Sequence, residues 1–196
     1  YNINTSSMFR SAEDFTVDAN GFLLETITID VNQQAVPNNA TINIREDNGG
    51  VPGAVIHTIT GAPDDSVVVG SAFGDPIYHL TFDLATPIPL EEGTYWLDPK
   101  MSTSSGETVW WAMPDYQSTH GAHLQRSDDN GVTWTVDEEY SGVFTVSGTC
   151  GGDEPPSVED CDQGDDSNGF ENGYNITSGG TYRNADDFFV SAGNTL

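Results

Sequence analysis

Two kinds of side chain in this 196-residue chain are spaced as if for chemistry: oxygens gathered in acidic turns, and histidines. Asp47 and Asn48, followed by Gly49 and Gly50, would offer hard oxygen ligands from a single turn. Calcium takes about six to eight such oxygens, so this turn is the candidate Ca2+ site, with Glu13 and Asp14 as a second source of carboxylate. The sequence has no EF-hand loop and no Gly-Asp nonapeptide, so a calcium site here is irregular. The histidines are His57, His79, His120 and His123. The last two are three positions apart, but Gly121 between them marks a loop, and two ligands without a third do not make a zinc site. The carboxylate pairs Asp64-Asp65 and Glu138-Glu139 have no spacing specific to acid–base work. There is no Gly-x-Ser-x-Gly, His-Glu-x-x-His or phosphate loop. Non-enzymatic work is the expectation.

Aromatic residues and one turn motif carry the remaining signals. Trp110-Trp111 lies in a strand-like run, so its rings should point to opposite faces, one into a core and one outward. An outward Trp on a sandwich is a surface on which sugar rings stack. Residues Ser127-Asp128-Asp129-Asn130-Gly131-Val132-Thr133-Trp134 follow the pattern Ser-x-Asp-x-Gly-x-Thr-Trp. This resembles the Asp-box hairpin of sialidases and other secreted β proteins, carried here by Ser127, Asp129, Gly131, Thr133 and Trp134. Asp129 is expected to accept bonds from turn amides, Gly131 to supply a positive φ, and Trp134 to pack beneath the hairpin. Sialidase propellers repeat the box in each blade, and a single copy occurs here. Their site also needs a basic cluster, and the four arginines of this chain are scattered in sequence. The box is therefore read as structural.

Composition narrows the partners. Thirty-one acidic residues against five basic ones give a net charge of −26. Nucleic acid and anionic membrane call for basic patches and are poor partners for such a surface. No apolar run approaches the roughly 18 residues of a membrane span. Cys150 and Cys161 stand in a Gly/Asp/Pro-rich stretch whose spacing fits no zinc pattern. A local disulfide in an oxidising compartment is expected, stabilising by roughly 2–3 kcal/mol.

The elements that must hold these residues are strands. Short alternating runs recur between explicit turns, and helical periodicity is almost absent. Eleven strands are expected: 14–17, 23–31, 41–46, 55–60, 66–70, 77–83, 93–98, 108–113, 123–126, 133–136 and 142–146. This predicts an all-β, two-sheet sandwich, jelly-roll-like, over residues 1–148. Residues 149–173 read as an acidic linker. Residues 174–196 then repeat residues 1–23 without a gap, at a period of 173, with ten identities where chance gives roughly one or two. On this reading the chain is one unit plus the opening of the next. Phe188, Val190 and Leu196 would make the contact between repeats, burying as Phe15, Val17 and Leu23 do in the first copy.

The runs Phe9–Val17, Glu46–Gly53, Gly93–Leu97 and Cys161 followed by Ser167–Gly173 together resemble β-sandwich domains in large secreted proteins of Bacteroidota, especially marine flavobacteria. The resemblance implies export by a type IX system and an extracellular or cell-surface location. The function expected is a head-to-tail repeat unit of a filament or adhesin whose partners are other copies. The alternative is a carbohydrate-binding module that binds surface glycans.

Overall fold

The fold is seen in a computed structural model that describes residues 1–113, 124–137 and 141–150. Eleven strands run in chain order: β1 (Arg10–Val17), β2 (Phe22–Asn32), β3 (Asn39–Asp47), β4 (Pro52–Gly61), β5 (Asp65–Ala72), β6 (Asp75–Leu90), β7 (Gly93–Ser102), β8 (Trp110–Trp111), β9 (Gln125–Ser127), β10 (Thr135–Val136) and β11 (Phe144–Cys150). They form two antiparallel sheets packed face to face. One is six-stranded, in the order β10-β9-β1-β7-β3-β4, and the other is β11-β2-β6-β5, with β8 also beside β2. This is the expected β-sandwich. As in a jelly roll, β1 pairs with β7 in one sheet while β2 pairs with β6 in the other. The pattern departs from a jelly roll at β3–β4, a hairpin that stays within one sheet.

Alternation builds the core. Ile27, Ile29 and Val31 of β2 face Ile42 and Ile44 of β3 and Leu97 and Met101 of β7, all fully buried. The intervening residues of β2, Thr26 and Thr28, turn outward and are half-buried. Phe15 and Val17 of β1 belong to the same core, where Phe15 stacks on Tyr95 at 5.7 Å. Leu23 does not follow them. It lies between the inward Phe22 and Leu24 and so faces solvent, 36% exposed, which corrects the expectation that it buries like Phe15 and Val17.

Two strands run on beyond their expected ends at 83 and 98, through prolines. β6 continues through Pro87 and Pro89 because the pairing with β5 has already stopped at Thr81. An edge strand tolerates a missing N–H. β7 continues through Pro99, two residues beyond its last pair with β1, Glu13–Leu97. β2 instead borrows a second neighbour. β11 covers it from Phe22 to Ile29 and β8 its last two residues, so one edge of β2 is completed by two separate segments.

Candidate functional site

The outer face of the six-stranded sheet gathers three of the five basic residues. On β7, Trp96, Asp98 and Lys100 alternate outward and are nonetheless buried. Asp98 is fully buried, and its Oδ2 accepts from Arg10 Nη1 at 2.7 Å, Arg45 Nε at 2.8 Å and Asn43 Nδ2 at 3.3 Å. Arg45 also donates to the Gly53 carbonyl at 2.9 Å and lies 5.3 Å from the Trp134 ring centre, a cation–π distance. Lys100 donates to the carbonyls of Asn4, Ser7 and Phe9, pinning the segment before β1 across the sheet. Burial, and then Arg10, hold its amine below the usual lysine value. Arg10 and Arg45, distant in sequence, are thus brought together on Asp98, and the donors named above are engaged by the protein itself. What could have revealed the cluster is the outward alternation of Trp96, Asp98 and Lys100, which the expected strand 93–98 cut short before Lys100.

The Asp box is seated on this cluster. Ser127 Oγ donates to Asp129 Oδ1 at 2.8 Å and accepts the Gly131 amide at 2.8 Å. Asp129 also accepts the amides of Val132 and Thr133 and the Thr133 hydroxyl, at 2.7–3.0 Å. These bonds, those from Thr133 first, hold its carboxyl down at about 2. Gly131 has φ +88°, and a Cβ there would meet Arg45 at 3.0 Å. Asn130, at φ 63°, accepts from Arg10 Nε at 2.9 Å. Trp134 lies half-buried beneath the hairpin. The box therefore locks a turn onto β1 and β3, and its carboxylate is engaged by the amides and hydroxyls of that turn.

The turn with Asp47 and Asn48 is a hairpin between β3 and β4. Asp47 accepts the amides of Gly49 and Gly50 at 3.1 Å, and the Trp96 indole N–H at 2.9 Å. Gly49 and Gly50 have φ +72° and +89°, conformations that suit glycine. Asn48 donates its amide to Val51. Glu13 and Asp14 cannot share a cation: Glu13 lies on the inner face, where it accepts the Gly142 amide at 2.8 Å, while Asp14 is on the outer one. Among the described residues no three or more His, Cys, Asp or Glu side chains are grouped as a metal site.

A second buried aspartate sits on the outer face of the five-stranded sheet. Asp30 of β2 is opposite His79 of β6, with 2.6 Å between Asp30 Oδ1 and His79 Nδ1. The Asp30 side chain is 3% exposed and that of His79 40%. Burial raises the Asp30 carboxyl above its ordinary value, partly opposed by His79. The bond to Asp30 raises the His79 imidazole. Sequence reading missed this pair because the partners are 49 residues apart and meet only through strand register. A buried carboxylate orienting a half-exposed imidazole is half of a nucleophile-activating device. The cross-strand position beyond His79 is occupied by Val67, which cannot complete it.

Trp111 is buried, its indole N–H donating to the Val143 carbonyl at 2.9 Å, whereas Trp110 is 48% exposed. The two rings divide between faces as expected. Cys150 ends β11; Cys161 lies outside the described residues, as do His120, His123, Phe188, Val190 and Leu196. A groove of about 570 Å³ opens between β4 and the last part of β6, lined by residues that include Ile59, Leu84 and Ile88.

The chain matches no known protein-family model, no curated protein and no solved structure.

Proposed function

We propose that the chain is a non-enzymatic repeat unit of an extracellular or cell-surface filament or adhesin, its sandwich domains linked head to tail. One observation carries this reading: the repeated sequence keeps the residues that the first copy needs for folding. Of the 14 positions in residues 1–23 that are buried or half-buried, eight are identical in residues 174–196; of the nine exposed positions, two are. The retained residues include Ile3, Ala12, Phe15 and Val17 of the interior and Arg10 of the Asp98 cluster. A segment preserving that set encodes a strand like β1. In the first sandwich that place, between β7 and β9, is already filled, which supports assigning the second copy to a further domain. The donors and carboxylates gathered on the outer face are engaged with the protein, which supports structural work over catalysis. The charge of −26 suits a solvated external surface.

A chain carrying two complete 173-residue periods tests this. Calorimetry should show about twice the unfolding enthalpy of one period, and X-ray scattering an elongated pair of domains. A second period that stays unfolded would refute the repeat reading. The exposed Trp110 favours one alternative, a carbohydrate-binding module. Glycan-array binding that is lost in Trp110→Ala would move the assignment there.

A further inference from the structure

The two strands bordering the β4–β6 groove differ in how they are guarded. Among the described residues β6 lacks a second neighbour over Leu84–Leu90, but Pro87 and Pro89 remove two of the N–H groups that an incoming strand would need. β4 has no such protection. It ends the six-stranded sheet and is ten residues long, and its only proline is its first residue. Residues 51–63 contain no Asp, Glu, Lys or Arg, in a chain of net charge −26. From His57 to Gly61 the pairing with β3 is regular, without a bulge. Val55 and Ile56 are 43% and 40% exposed. At its other end the same sheet finishes in β10, two residues long. Shortness, charge, proline and bulges are the ordinary means of blunting an edge, and the regular half of β4 uses none of them.

We infer that β4 is an association edge that pairs antiparallel with β4 of a second copy of this chain, joining two six-stranded sheets. Charge selects this occupant. Two molecules carrying −26 each repel across most of their surfaces, and like charges opposed on paired strands are unfavourable. Antiparallel β4 strands bring no Asp, Glu, Lys or Arg of either strand against the other. The contact is isologous, so it closes at two copies. The added strand covers the groove mouth beside Ile59, Leu84 and Ile88, which already pack at the margin of the core. This inference stands apart from the head-to-tail reading: one concerns the sandwich flank, the other its order along the chain.

Sedimentation of the full chain, in buffer alone and with added sodium chloride, tests it, alongside Ile56→Lys and Ile56→Thr. Screening should strengthen a reversible dimer. Ile56→Lys should weaken it about tenfold, by placing like charges near one another across the joint, and Ile56→Thr should leave it nearly unchanged. Circular dichroism checks that both variants keep the fold. Hydrogen exchange at rising concentration should protect amides within residues 55–61. A chain that stays monomeric at every salt concentration would overturn the inference. So would association that Ile56→Lys does not affect, or protection that appears in residues 174–196 in place of β4.

Discussion

Two aspartates, each almost completely buried on the outward side of a central strand, hold the two faces of this sandwich by different chemistry. Asp98 on β7 is gripped by two guanidinium groups and an amide. Asp30 on β2 is held by one imidazole that is itself partly in solvent. Arginine keeps its charge at any pH a protein meets, and histidine does not. The six-stranded face therefore seats its Asp box on arginines that never titrate away, whereas the five-stranded face tracks pH through His79. An unbroken sheet needs neither pair, so the pairs decide what each face can carry: a docked hairpin on one side, a proton-sensitive surface on the other.

The sharpest way to break the comparison is Asp98→Ala. It leaves Arg10 and Arg45 facing each other without an anion, and breaking such a buried pair costs about 3–5 kcal/mol. The midpoint of urea unfolding should fall accordingly, and Trp134 fluorescence should report release of the hairpin. Arg45→Met, which keeps bulk and drops the charge, should be milder. His79→Gln comes next. A buried carboxylate then has a neutral partner, and the loss should be about 1–3 kcal/mol near neutral pH, smaller than for Asp98 because solvent reaches His79.

The pH profile separates the two faces further. Both Asp30 and His79 bind protons more tightly in the folded chain than in the unfolded one. Stability from His79 is therefore complete below its ordinary value of 6.5 and is lost as pH rises through the raised one. Asp30 acts in the same direction above 3.8. Thermal melts of the natural chain should show a falling midpoint above neutrality, and His79→Gln should flatten that decline. A decline that persists unchanged in the variant would show that the pair is not its source. The smallest effect belongs to Asp129, whose carboxyl is depressed from 3.8 to about 2. Its contribution is present above 3.8 and lost as pH falls through about 2. Asp129→Asn should remove that acid-side step and leave the alkaline side untouched.

Sequence reading reached the fold further than it reached the faces. Alternation in Thr26–Val31 and turn signals such as Asp47–Gly50 are local, and all eleven expected strands correspond to observed ones. Boundaries failed where the decisive fact was the neighbour: Pro87, Pro89 and Pro99 are tolerated because a ladder has ended beside them. The Asp box was legible because its bonds join residues at most four apart. Neither buried aspartate pair was, since Arg10 reaches Asp98 across 88 positions and Asp30 reaches His79 across 49. Such partners are fixed by register between strands, which a single sequence does not contain. Trp110 and Trp111 were divided correctly because period-two alternation requires no partner.

The position of β1 has a mechanical consequence. It lies inside its sheet with five residue pairs to β7 and three to β9, while β11 lies in the opposite sheet. A load drawn along the chain through these two strands crosses from one sheet to the other through the interior. It meets the β1 bonds lying across its direction, so they must give way together in shear and cannot open one at a time. Lys100 and Arg10 brace the entrance to that strand. A domain strung in series and pulled from both ends would then be limited by β1, and its resistance would be set by the pairs flanking the first strand more than by the size of the core.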